Sequence, residues 1–144
     1  MAAPLRLAVV PMLAPTAPRM THVTKAFAET VMASVRDYYQ RQSRGRATFT
    51  YEVFDWYRIP ISQLEFENLG QGLGDRALPL LSHDIGLDPS QFTHFAFLLD
   101  WKGEDKQVGK QAAWFPQPGE KRYLHVGVPD LSPSLLEHEL GHAF

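Results

Sequence analysis

A chain of 144 residues, 44% hydrophobic and 21% charged, has the composition of one soluble globular domain with a sizeable core. Its formal net charge of −2 gives no electrostatic case for a nucleic-acid partner or an anionic membrane surface. The absence of cysteine excludes disulfides and cysteine-based metal sites, and no stretch approaches the roughly 18 apolar residues of a membrane span.

The elements follow in chain order. Met1 to Pro18 carries one arginine, and Pro4 and Pro11 bracket the apolar run Leu5 to Val10. The segment therefore predicts a buried first strand, Leu5 to Met12, followed by a Pro-rich loop, Ala14 to Pro18, in preference to a signal sequence. A helix is predicted from about Thr21 to Gln42, with Phe27, Val31, Val35 and Tyr38 at helical spacing and Gly45 just past its end. Arg46 to Ile59, rich in Thr, Tyr, Val, Phe and Trp, reads as a strand. Ser62 to Gly74 reads as an irregular connection. A shorter helix is expected over Asp75 to Ile85, with Leu78, Leu81 and Ile85 inward, Gly86 as its stop and Pro79 disturbing its start. Phe92 to Leu99 is a continuous apolar run suited to a central strand. A polar loop, Asp100 to Lys110, leads to a short strand, Gln111 to Phe115; Pro116 to Lys121 is a turn, and Tyr123 to Val128 is the last strand.

This order predicts an α/β (α+β) fold, a mostly parallel mixed sheet packed by helices. The connection between the last two strands is too short for a parallel crossover, so they should pair antiparallel. Pro116 marks Gln111–Phe115 as the edge strand.

The sequence closes on His138-Glu139-Leu140-Gly141-His142-Ala143-Phe144. H-E-x-x-H on a helix is the core of a zinc-hydrolase site. Histidines four apart project from one helical face, so His138 and His142 can reach a single metal ion. Glu139 points about 100° away around the helix, where it borders the metal without ligating it and can act as general base. Ser132-Pro133 supplies an N-cap and a proline at the first helical position. Ser134 with Glu137 offers an alternative capping box, and Leu136, Leu140, Ala143 and Phe144 form an anchoring apolar stripe.

With these residues in view, the chain resembles the N-terminal part of a metzincin catalytic domain, closest to the immune-inhibitor-A-like and gametolysin-like metallopeptidases. Val35-Arg36-Asp37-Tyr38-Tyr39 through Ser43-Arg44-Gly45 to Trp56-Tyr57-Arg58-Ile59-Pro60 is similar to the helix, turn and strand that open those domains. Phe92-Thr93-His94-Phe95 with Leu98-Leu99 is similar to the strand ahead of their glycine-rich loop, and Leu136 to Phe144 matches the start of their motif. The resemblance implies a zincin-like fold with His138 and His142 as zinc ligands, Glu139 as general base, and a third ligand and methionine-containing turn beyond Phe144. It thus reads the 144 residues as the N-terminal subdomain of a single catalytic domain whose C-terminal subdomain lies outside them. It further implies a secreted zinc endopeptidase whose peptide or protein substrate lies antiparallel to the edge strand, around Ala113 and Trp114.

Two other functions fit the same residues: a zinc peptidase that takes a glutamate from a later helix as third ligand, and a non-catalytic binding domain that keeps the fold. The retained Glu139 argues against the latter, because a binding module has no use for the base. Among weaker features, His125 in the last strand is a candidate substitute ligand. His22, His83 and His94 are scattered along the chain, and Arg41, Arg44 and Arg46 cluster at a helix end, where they complement the helix dipole. The oligomeric state cannot be read from the residues.

Overall fold

A computed structural model describes residues 5–16, 24–45, 49–69, 72–99, 113–116 and 122–127. Its elements are β1 (Leu5–Leu13), α1 (Lys25–Gln42), β2 (Phe49–Val53), β3 (Tyr57–Arg58), α2 (Gln63–Leu69), α3 (Leu73–Ile85), a 3₁₀ turn (Pro89–Gln91), β4 (His94–Leu99), β5 (Ala113–Pro116) and β6 (Arg122–Gly127). The sheet runs β2-β1-β4-β6-β5, with β3 also paired to β1. Every pairing is parallel except β5 with β6, which is antiparallel. The expected mixed, mostly parallel α/β sheet with an antiparallel edge strand is present, and the edge strand is the expected one.

The sheet is covered on both faces, and the alternation of strand side chains decides which residue goes where. Leu5, Leu7, Val9 and Leu13 of β1 pack with Ala96 and Leu98 of β4 beneath Ala28, Val31, Met32 and Val35 of α1. Ala8, Val10 and Met12 pack with Phe95, Phe97 and Leu99 beneath Phe66 of α2 and Leu73, Ala77, Leu78 and Leu81 of α3. β1 and β4 are apolar on both faces because both faces are buried, as in parallel sheets generally. From β1 the chain moves one way to β2 and the other way to β4. Two crossovers of one hand that move in opposite directions place their helices on opposite faces.

The helix ends differ from the predicted ones for local reasons. α1 starts at Lys25, later than Thr21, because the Thr24 side chain accepts from the Phe27 N–H at 3.0 Å and caps the helix there. Phe27, the first residue of that spacing, is 42% exposed, since the buried stripe starts one residue later at Ala28. α3 starts at Leu73, earlier than Asp75, and accommodates Pro79 internally. Ile85, expected inward, is 41% exposed at the last helical position. Gly86 then stops the helix at φ +71°, in the left-handed region that glycine adopts without penalty.

The segment expected to be irregular, Ser62 to Gly74, contains α2. Ser62 Oγ accepts from the Glu65 N–H at 3.0 Å, and Phe66 is fully buried. The single strand expected over Arg46 to Ile59 divides into β2 and β3. Val9 pairs with Val53 and Met12 with Tyr57, so β1 advances by three residues (12 − 9) while its neighbour advances by four (57 − 53). One extra residue forms a bulge and flips the side-chain alternation. Val53 therefore lies in the α1-side core, whereas Tyr57 lies in the core beneath α2 and α3.

Candidate functional site

His138, Glu139 and His142 lie outside the described residues, as do His22, Arg46 and the polar loop after β4. The described structure supplies the sheet from which the chain runs toward them. β1, β4 and β6 are mutually parallel in order, so Leu13, Leu99 and Gly127 end at the same edge of the sheet. Ligands of open α/β sheets bind outside such carboxyl ends. β6 leads directly into residues 128–137 and then into His138.

Ala113 and Trp114 both lie in β5. In register, Ala113 pairs with His125, Trp114 with Leu124, Phe115 with Tyr123 and Pro116 with Arg122. Pro116, expected in the turn, is thus the last residue of the strand, a place where its missing N–H is tolerated. Among the described residues no strand pairs with the outer side of β5. An edge of this kind offers backbone N–H and C=O groups to an extended chain.

At the carboxyl end of β1 the backbone is pinned by side chains from later in the sequence. Arg58 Nη1 donates to the carbonyls of Ala14 and Pro15 at 2.9 and 3.1 Å. Gln63 Oε1 accepts from Thr16 Oγ1 at 2.7 Å and from the Thr16 N–H at 3.2 Å. Glu65 of α2 accepts from Arg76 Nε of α3 at 2.6 Å, tying the two helices together. The bonds from Arg58 and Gln63 hold the loop after β1 to β3 and α2.

A second polar cluster joins β3 to the end of α3. The Tyr57 hydroxyl donates to Asp84 Oδ2 at 2.5 Å, and His83 Nδ1 lies 2.8 Å from Asp84 Oδ1. The bonds from His83 and then Tyr57 hold the Asp84 carboxyl below the ordinary carboxylate range. Burial, reinforced by Asp84, pushes the Tyr57 phenol well above the ordinary tyrosine range. The contact spans 27 positions in sequence and depends on the bulge that turns Tyr57 inward, so no local pattern signals it.

His94, one of the scattered histidines, opens β4 with Nδ1 2.8 Å from Thr93 Oγ1. His125 sits in β6 between Phe97 and Ala113 in register. Arg41 lies in the last turn of α1, where a cation complements the helix dipole. Among the described residues no three His, Asp or Glu side chains come together to hold a metal ion. In comparisons with known proteins, the chain matches no family model, no curated protein and no solved structure.

Proposed function

We propose that this chain carries the metal-binding and catalytic motif of a zinc metallopeptidase of the metzincin type. The observation that carries this reading is the His138-Glu139-Leu140-Gly141-His142 spacing. The sheet supports it from an independent direction: a mostly parallel sheet ends in one antiparallel edge strand, and the strand beside that edge leads into the motif.

The donor set fits zinc, since imidazole nitrogens suit a borderline-soft ion that binds histidine at about 2.0–2.1 Å. His138 and His142 would hold the ion. Bound there, zinc supplies a Lewis acid that polarises a carbonyl and brings the pKa of water toward neutrality. Glu139 takes the proton from the attacking water and returns it to the departing amine. The outer edge of β5 holds the peptide extended and antiparallel, with Ala113 and Trp114 at the contact. Register along an edge strand fixes which peptide bond faces the catalytic residues, and that positioning supplies much of the rate.

The test is cleavage of an unstructured protein, such as denatured casein, by the full-length protein. A chelator should abolish cleavage, and added zinc should restore it while magnesium does not. Cleavage that survives complete zinc removal, or none after zinc loading, would contradict the proposal.

A further inference from the structure

The sheet has a second edge. β2 closes it on the side away from β5, four strand steps distant, or roughly 19 Å at the usual spacing. Among the described residues no strand pairs with the outer side of β2. The backbone groups facing outward follow from one bond: the Phe54 N–H donates to the Val9 carbonyl at 2.9 Å. Backbone groups alternate sides along a strand, so Thr50 and Glu52 also bond toward β1, and the N–H and C=O of Tyr51 point away from the sheet.

Beside this edge lies a groove of about 620 Å³, lined by Arg36 and Gln40 of α1 and by Phe49, Thr50 and Tyr51 of β2. Arg36 is the only charged residue among these lining residues. Its guanidinium sits 5.5 Å from the centroid of the Tyr51 ring, an arrangement that steadies the cation. Its neighbour Asp37 approaches Nε only to 3.9 Å, beyond hydrogen-bond length, and the Arg36 and Asp37 side chains are 42% and 60% exposed. The guanidinium fork thus keeps donors that can reach a carboxylate entering the groove.

We infer that the outer edge of β2 and the Arg36 groove form a docking site for an extended peptide segment bearing an acidic side chain. The peptide adds a strand next to β2 through the outward backbone groups of Tyr51, and its carboxylate meets Arg36. Backbone pairing gives the affinity and Arg36 gives the selectivity. The site is independent of the zinc motif and lies at the opposite edge of the sheet from β5.

Two fluorescent probe peptides test this on the full-length protein, in the presence of a chelator so that no cleavage intervenes. Both alternate valine and threonine; one has a central glutamate and the other a central lysine. The glutamate probe should bind roughly fivefold more tightly by anisotropy, as expected of one charge pair at a partly exposed site. Arg36→Glu should reverse the preference. Tyr51→Pro removes the outward N–H together with the ring beside Arg36 and keeps the ladder to β1, so it should abolish binding of both probes, whereas Tyr51→Leu, which loses the ring and keeps the N–H, should still bind. If Tyr51→Pro does not fold, the Arg36→Glu reversal decides alone. Equal binding of the two probes, no binding of either, an unchanged preference in Arg36→Glu, or full binding by a folded Tyr51→Pro would overturn the inference. So would self-association of the wild type through this edge, abolished by Tyr51→Pro, because a second copy would then be the occupant.

Discussion

In the full-length protein, Glu139→Ala is expected to lower peptide hydrolysis by about 10²–10⁴-fold, the range that a positioned general base contributes, while zinc content stays unchanged. The two halves of this result have different causes. On a helix, His138 and His142 share a face, and Glu139 lies about 100° from His138, off the ligating line. Removing its carboxylate deletes the proton acceptor for the attacking water and leaves both imidazoles in place. Zinc loss in Glu139→Ala would mean that Glu139 is a ligand. Undiminished turnover would mean that the base is another group.

The second large effect is on stability. Phe95→Ala should cost about 3–5 kcal/mol in urea unfolding, the range for aromatic truncation in a packed core. Phe95 is fully buried in β4, between β1 and β6, with the Phe92 ring centroid 6.0 Å from its own. The core cluster around it draws on β1, β4, α2 and α3, which cannot all collapse into the space it leaves. Domains of this size are stable by about 5–15 kcal/mol, so one such cavity removes a large share of the total. Leu64→Ala is the matching control: Leu64 is 72% exposed, and its truncation should stay within about 0.5 kcal/mol. A Phe95→Ala cost below about 1 kcal/mol would contradict the enclosure of this ring.

The parts of the fold that were readable in advance are those with a strong local signature. β4 is a continuous apolar run because both of its faces are covered, and α1 carries Val31 and Val35 at helical spacing. The antiparallel edge followed from a connection too short for a crossover, with Pro116 beside it. α2 was missed because a helix of seven residues with Phe66 as its buried residue shows no periodicity. The available signal was Ser62-x-x-Glu65, a capping pattern ahead of Phe66. The break between β2 and β3 had no such signal, since a bulge is fixed by the register against β1, a strand distant in sequence. Phe27 and Ile85 obeyed helical spacing, yet each lies at a helix end where the layer beneath runs out.

The candidate site divides in the same way. The proposed metal motif is local, three residues on one stretch, so its spacing is visible in the sequence alone. The Tyr57–Asp84 bond and the groove that sets Arg36 beside Tyr51 join positions far apart in sequence, and only the packed structure brings them together.

The most direct test of the zinc assignment is X-ray absorption at the zinc edge on the full-length protein. The proposal predicts a nitrogen shell at about 2.0–2.1 Å with the outer scattering of two imidazoles. In His138→Ala and in His142→Ala that scattering should fall by one imidazole or the zinc should be lost, and in Glu139→Ala it should be retained. A zinc ion without imidazole scattering, or with a spectrum unchanged in both histidine variants, would contradict it.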